Sequence, residues 1–449
     1  MSLMDKATLD LDKYSGQLAG IDTYRMDGRV TEVVGMVVEA TIPNGSVGDL
    51  CTIEVGSGES IRAEVMGFRS GKMLLMPLDT TMGVSVGSRV RLSTRPLTIP
   101  VGRSLLGRII DAMGRPIDGK GPITGSVQRS VYNEPPPPMQ RKRITEPFTT
   151  GIRSIDGLLT LGRGQRMGIF SGSGVGKSVL IGMIARNTDA AVNIIGLIGE
   201  RGREVREFIE RDLGAETLKN SVVVVATSDQ AAQLRVKAAL VATSLAEYFR
   251  DEGNDVMLMM DSLTRIAMAQ REIGLAIGEP PTTKGYTPSV FALLPRLLER
   301  AGPSKGKYIT GLYTVLVESD DLNDPIADAA RSLLDGHVVL SRTLANRGHY
   351  PAVDPLQSVS RLRRDITSPQ QIEDVKRIIE LMSIHSDSED LINIGAYSAG
   401  SNPRIDEAIA NIDRINDYLK QDGDVRSGFD DARDRLRDLC EQLEVSDGN

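Results

Sequence analysis

Residues 171–178 read SGSGVGKS, between a strand-like run at 166–170 and a stretch at 179–185 whose apolar residues recur at helical density. A strand-to-helix turn of small residues aims several backbone N–H groups at one point before the positive end of a helix, which is the chemistry of phosphate binding. In that arrangement Ser171, Gly172, Ser173, Gly174, Val175, Gly176 and Val179 form the loop, and Lys177 places a point charge at the outer phosphates. The Ser178 hydroxyl would take one position on a magnesium ion. The strict pattern has glycine where Ser171 stands, a change that is tolerable if the backbone there keeps a negative φ. The competing reading is a Gly/Ser-rich surface turn that binds nothing, and the flanking strand and helix weigh against it.

Hydrolysis of a nucleoside triphosphate needs two further groups, one to hold the metal and one to orient water at the γ-phosphate. The run VMLMMD ends in Asp261, an apolar strand closing on a carboxylate, suited to hold magnesium through its water shell. The next strand-like run after the loop helix ends in Glu200, where a carboxylate can polarise the attacking water. A helix-capping salt-bridge cluster within Glu200-Arg201-Gly202-Arg203-Glu204 is the alternative for that stretch.

These side chains must be held by strands and helices in alternation. Strands are predicted at 166–170, 192–199, 221–226, 255–260, 308–317 and 337–340, with helices at 233–250, 262–273, 289–301 and 326–334. Such alternation implies a parallel sheet with helices on both faces, with ligands beyond the carboxyl ends of its strands. Those ends carry Ser171, Glu200, Ser228-Asp229, Asp261-Ser262 and Glu318-Ser319. Upstream, short Val/Ile/Met/Thr runs broken by glycine turns over 29–97 suggest a small β-barrel or sandwich. The stretch PPPPMQRKR at 135–143 reads as a stiff crossover or, alternatively, a partner ligand. Beyond Pro369, apolar residues spaced by three and four mark amphipathic helices. The divisions are therefore 1–24, an N-terminal segment with scattered apolar residues that could dock a partner; 25–97, the barrel; 98–368, the nucleotide core; and 369–449, a helical domain.

Composition narrows the class. With 40% hydrophobic and 25% charged residues the chain is an ordinary globular protein, and its net charge of −7 argues against a mainly nucleic-acid-binding surface. The acidic residues of MSLMDKATLDLDKYSG do not suit a signal peptide and no stretch approaches a membrane span, so a cytoplasmic location is expected. Cys51 and Cys440 lie too far apart in sequence to suggest a disulfide framework or a zinc site. His337, His349 and His385 are isolated and receive no role.

Taken together, SGSGVGKS, IGERGRE, LMMDSLTR and YPAVDPLQSVSR resemble the rotary ATP synthase catalytic subunits and their relatives. The similarity runs over nearly the whole chain, through LLGRIIDAMGRPIDGKGPI and TGIRSIDGLLTLGRGQRMGIF. Within that group GQRMGIFSGSGVGKS and GEPPTTKGYTPSVFALLPRLLERAG look like the type III export ATPases, especially the flagellar branch, in which Ala or Gly usually stands at the position of Ser171. The resemblance implies an α/β fold: a RecA-like P-loop NTPase core with an N-terminal β-barrel and a C-terminal helical domain. It implies ATP as substrate with Mg2+, and hydrolysis that powers or assists export of flagellar components. Glu200 would be the catalytic carboxylate, Lys177 the phosphate lysine, Arg201 a phosphate-side or interface arginine, and Tyr350 an aromatic wall for the adenine. Arg361 would be an arginine finger reaching the γ-phosphate of the adjacent subunit, which requires a ring, by resemblance a homohexamer.

The same resemblance implies a stator-like regulator, a stalk protein, a membrane export gate, export substrates and chaperones as partners, with peripheral association at the inner face of the cell membrane. It places the 278–286 loop towards the ring centre, where it would touch cargo or stalk; a plain connection between helices is the alternative. Other readings are an injectisome secretion ATPase, a rotary synthase subunit and a noncatalytic nucleotide-binding ring subunit. The synthase subunit would carry an acidic loop that 370–449 lack, and the noncatalytic subunit would lack Glu200. An RNA-translocating ring would need a basic, aromatic barrel, whereas 29–97 hold only Phe68.

Overall fold

The computed structural model describes residues 27–446 apart from 57, 94–95, 305–306 and 318–323. The 1–24 segment and Glu318-Ser319 lie outside the described residues. The chain divides into two compact units, with the boundary between Pro96 and Leu97.

In the first unit, β1 (Asp27–Val34), β2 (Val37–Thr41), β3 (Leu50–Glu54), β4 (Ser60–Arg69), β5 (Lys72–Pro77) and β6 (Arg89–Ser93) close into a barrel in the order β1-β2-β5-β4-β3-β6. Alternation decides which side chains fill it: Val30, Val38, Ala40, Cys51, Ile53, Ala63 and Leu75 point inward and are buried, while their neighbours along each strand face outward. Gly35, at φ 58°, supplies the left-handed residue of the β1–β2 turn.

The second unit begins with β7 (Thr98–Val101), β8 (Arg108–Asp111), β9 (Val127–Ser130), β10 (Pro147–Phe148) and β11 (Leu161–Gly162). Its central strands are β12 (Arg166–Ser171), β13 (Val192–Ile198), β14 (Ser221–Ala226), β15 (Val256–Asp261), β16 (Gly302–Ser304), β17 (Lys307–Leu316), β18 (Gly336–Leu340) and β19 (Val353–Ser360). Among the described residues they form, with β8, one nine-stranded sheet in the order β19-β18-β12-β17-β15-β13-β14-β8, with β16 paired to β17. Strands buried on both faces read as unbroken apolar runs, as VNIIGLI does in β13.

The sheet departs from the all-parallel expectation at two places, since β19 runs antiparallel to β18 and β16 antiparallel to β17. Helices α1 (Lys177–Asn187), α2 (Gly202–Glu207), α3 (Ala232–Asp251), α4 (Leu263–Ile277), α5 (Pro288–Leu298), α6 (Pro325–Leu333) and α7 (Arg342–Asn346) connect the strands. Ile195 and Leu197 share a core with Leu180 and Ile184 of α1, whereas a Cβ at Gly196, on the opposite face, would meet Ala242 of α3 at 3.4 Å. Helices therefore cover both faces.

Downstream, α8 (Pro369–Asn393), α9 (Pro403–Leu419) and α10 (Phe429–Ser446) bury Val375, Ile378, Leu381, Ile415, Leu419, Leu436 and Leu439 against one another and against Leu158 of the core. The PPPPMQRKR stretch crosses between β9 and β10, and Arg141 ties it to the end of α5 by hydrogen bonds to the carbonyls of Glu299 (2.5 Å) and Ala301 (3.2 Å). Among the described residues, no helix is long and apolar enough to cross a membrane.

Candidate active site

At the carboxyl end of β12 the chain turns into α1 through the glycine-rich loop. Gly174 and Gly176 hold φ of 79° and 93°, a region that favours glycine, and Gly176 caps α1. Ser171 keeps a negative φ, paired between Leu316 and Leu340, so the strand accepts it without backbone strain. Its buried Oγ has no hydrogen-bond partner among the described residues.

The sheet order β12-β17-β15-β13 puts one strand between β12 and β15 and sets β13 next to β15, so the residues closing β12, β15 and β13 converge. Lys177 Nζ, from the first turn of α1, donates to Asp261 Oδ1 at the end of β15 and lies 3.4 Å from Glu200 Oε1. Thr314 of β17 donates its hydroxyl to the same Asp261 oxygen at 2.6 Å. All three charged side chains are largely buried, at 12%, 7% and 15% exposure for Lys177, Asp261 and Glu200. Burial raises the Glu200 pKa; the Lys177 charge opposes that shift and the Asp261 charge adds to it. A cluster of one cation between two carboxylates has charge to spare for neither, and incoming phosphate oxygens would compete for the lysine.

A cavity of about 1040 Å³ opens over this cluster, lined by Gly174, Lys177, Ser178, Glu200, Arg201 and Arg265, with Lys284 and Tyr286 on its far wall. Arg201 is mostly exposed and pairs with Glu204 at 3.2 Å. Ser228 donates its N–H to the Glu200 carbonyl at 3.0 Å, which fixes the backbone behind the carboxylate. The 280–284 stretch is exposed, as expected of a loop, but Tyr286 and Thr287 are buried and Lys284 pairs with Asp324 at 3.3 Å. That loop thus forms part of the cavity wall.

A second cavity of about 360 Å³ lies on the other side of Gly176, lined by Leu180, Met183, Leu340 and Tyr350. The Tyr350 ring stands 3.5 Å from where a Cβ on Gly176 would be, ordinary van der Waals contact, so the ring lies directly against the loop. Arg361 lines neither cavity: it is exposed beyond β19 and donates to the Arg331 carbonyl at 2.9 Å. The structure thus gathers Lys177, Ser178, Glu200 and Arg201 on one cavity, with Asp261 buried behind Lys177, sets Tyr350 beside the loop, and leaves Arg361 on the sheet edge.

Arg265 was not singled out by the sequence reading. It sits in the first turn of α4, where Ser262 accepts its N–H at 3.3 Å, and its stem packs on Gly199, where a Cβ would approach it to 2.8 Å. The signal was available: a cation one turn after a strand-end carboxylate faces the same strand ends. Among the described residues, no group of three His, Cys, Asp or Glu could hold a metal ion alone. Magnesium asks for less, one or two hard oxygen ligands alongside substrate phosphates, and a Ser178 hydroxyl with an Asp261 carboxylate is that donor set. Cys51 and Cys440 are free and buried, and His337 Nε2 donates to the Gln357 carbonyl at 3.1 Å.

Comparison with known proteins agrees with this geometry. The pattern of the ATP synthase alpha/beta family nucleotide-binding domain matches residues 151–360, that of the same family's beta-barrel domain 30–93, and that of the T3SS EscN ATPase C-terminal domain 367–438. The flagellum-specific ATP synthase of Bacillus subtilis (strain 168) is 55% identical over 405 residues, covering 90% of this chain and 92% of that protein. The chain belongs to the type III export ATPase family. This ATPase is also similar to the type 3 secretion system ATPase of Xanthomonas euvesicatoria, 49% identical over 426 residues, covering 95% of the chain and 96% of that protein. The assembled ATPase EscN of the enteropathogenic E. coli type III secretion system superposes with a TM-score of 0.87 at 42% identity, covering 92% of the ATPase and all of that chain. A second structure of EscN, in complex with its central stalk EscO, gives 0.85 at the same identity. The RecA-like core, N-terminal barrel and C-terminal helices expected from the sequence are thus the family's architecture.

Proposed function

We propose that this ATPase carries out magnesium-dependent hydrolysis of ATP to drive or assist type III export of flagellar components, as a ring of identical subunits. The observation that carries the chemistry is the meeting of Lys177, Asp261 and Glu200 at three strand ends under the N-terminus of α1. The loop N–H groups and Lys177 cradle the β- and γ-phosphates, the lysine exchanging its carboxylate partners for phosphate oxygens. Magnesium, held through Ser178 and Asp261, offsets phosphate charge when bound. Glu200 orients a water for in-line attack at the γ-phosphorus. The new P–O bond forms as the bond to the bridging β–γ oxygen breaks, and the water's proton passes to Glu200. Tyr350 lies against the adenine.

The cavity carries Arg201, Arg265, Arg271 and Arg342 of its own chain, and an arginine from the adjacent subunit would add a further positive charge against the γ-phosphoryl oxygens as they develop negative charge. Arg361, exposed at the end of the edge strand, is the arginine we assign to the neighbour's cavity. The assembled relative with a central stalk supports a ring with a stalk partner; a regulator on 1–24 and a peripheral location at the inner face of the membrane belong to the same proposal and rest on the family resemblance alone. Deleting the gene and scoring motility and flagellin secretion tests the export assignment. Loss of both, restored by wild type but not by Glu200→Gln, is expected. Normal motility with loss of another secreted set would transfer the protein to the injectisome branch.

A further inference from the structure

The smaller cavity beside Gly176 is built from two parts of the chain far apart in sequence. Leu180 and Met183 of α1, Leu340 and Tyr350 make its apolar walls, and Gln421 and Gly423, from the loop between α9 and α10, close it. That loop is tied down at three successive points. The Gln421 N–H donates to the Tyr350 carbonyl at 2.9 Å. The buried Gln421 side chain accepts the Arg153 N–H at 2.9 Å and donates to the carbonyls of Gly151 and Val425, both at 2.8 Å. Arg153 donates to the Lys420 carbonyl. Arg186, on α1 itself, donates to the Gly423 carbonyl at 2.8 Å.

Each of the two amide donors of Gln421 therefore has a carbonyl, and its oxygen has a backbone donor, so the side chain is spent on holding the loop. None of its polar atoms is left to read a base. We infer that Gln421 is a positioning residue for nucleotide: its side chain straps the α9–α10 loop onto the 151–153 turn of the core, and so holds the loop where its backbone meets Tyr350 and Gly423 meets Arg186 of α1, completing the wall of the base pocket. The inference rests on the assignment of the Tyr350 cavity to the base. Replacing Gln421 by alanine leaves the Arg153 N–H and Gly151 carbonyl without their buried partner and loosens the wall that bears Gly423, which then hangs on the backbone bond to Tyr350 and on Arg186 and Arg153. Phosphate binding at Lys177 touches none of these atoms. Reciprocity follows, since a base that needs the docked loop must in turn favour docking.

Direct titration of the full-length protein with ADP and with magnesium pyrophosphate separates the two ends of the ligand. In Gln421→Ala, ADP affinity should fall about tenfold, a loss of the size expected for a buried hydrogen-bonded anchor, while pyrophosphate affinity stays within about twofold. In steady-state hydrolysis KM should rise and kcat hold, the pattern of lost uniform binding. Arg186→Met, which cuts the tie to Gly423 from the other side, should repeat that split and carries the test if Gln421→Ala does not fold. Tyr350→Ala is the control for the site itself. ADP bound at wild-type affinity by Gln421→Ala and Arg186→Met, but weakly by Tyr350→Ala, overturns the strap alone. Wild-type ADP affinity in all three overturns the base assignment with it. Equal loss of ADP and pyrophosphate in a folded Gln421→Ala protein also overturns the inference, since the effect would then be general to the site.

Discussion

Replacing Arg361 by alanine separates the ring from the subunit. Arg361 is exposed, gives one side-chain hydrogen bond to the Arg331 carbonyl, and lines neither cavity of its own chain. Its loss should therefore change subunit stability by no more than about 0.5 kcal/mol, and nucleotide affinity of a dilute subunit should stay at the wild-type value. Turnover of assembled protein should fall about a thousandfold, about 4 kcal/mol of barrier, the lower end for an arginine finger supplied in trans. Mixing gives a sharper number. An active interface needs an intact Glu200 from one chain and an intact Arg361 from the next. In a random one-to-one mixture of Arg361→Ala and Glu200→Gln subunits about a quarter of interfaces meet that condition. Specific activity should climb from near zero for each variant towards about a quarter of wild type as the two co-assemble. Phosphate release measured against total protein, with co-assembly checked by light scattering, reads this out. Wild-type turnover in dilute Arg361→Ala, or no recovery in verified mixed rings, refutes the shared site.

Two further outcomes follow from single side chains. Because burial and the Asp261 charge raise the Glu200 pKa, and the base must be ionised, kcat/KM should drop as pH falls through a value above the ordinary glutamate pKa of about 4.3. An acid limb at or below that value would show that Glu200 is not the titrating group. Ser171 buries a hydroxyl without a partner among the described residues, so Ser171→Ala should raise unfolding stability by about 1 kcal/mol, and a lowered unfolding midpoint in denaturant would show that the hydroxyl is bonded.

Strand ends were the legible part of the site. Lys177, Ser178, Glu200 and Asp261 each follow an apolar run, and a parallel sheet brings such ends together whatever the helices do. What was missed has local causes. The β19 edge strand contains Pro355, which lacks an N–H and so reads against a strand; on an edge, beyond a register shift opposite His337 to Val339, it is tolerated. The helix predicted to end at 273 runs to Ile277, because Gly274 is no breaker there. A Cβ at that glycine would lie 2.4 Å from the Thr287 hydroxyl, so the residue serves close packing between α4 and the start of α5. The stop comes at Gly278, with φ 91°. The spacing of Ile405, Ile409 and Ile412 in the sequence puts Ile409 on the apolar stripe of α9, yet it is 36% exposed, and the fully buried Ala408 beside it faces the core. Gln421 had no local signal at all, since its four partners come from 151–153, Tyr350 and Val425, and only the folded chain brings them together.

The last strand of the sheet carries a tyrosine just before it and an arginine just after it. From Tyr350 to Arg361 the chain spends eight residues in β19, about 26 Å of extended backbone, paired to β18 at both ends, Val353-Asp354 and Val359-Ser360, with a register shift between, and through β18 to the strand that feeds the phosphate loop. A strand pinned at both ends keeps those ends at a set separation. In the ring we propose, this strand would have one nucleotide's base at its near end and the next nucleotide's γ-phosphate at its far end. A small tilt set by binding at one end would then be delivered to the neighbour as a displacement of its arginine, giving subunits a means of firing in turn that involves neither stalk nor cargo.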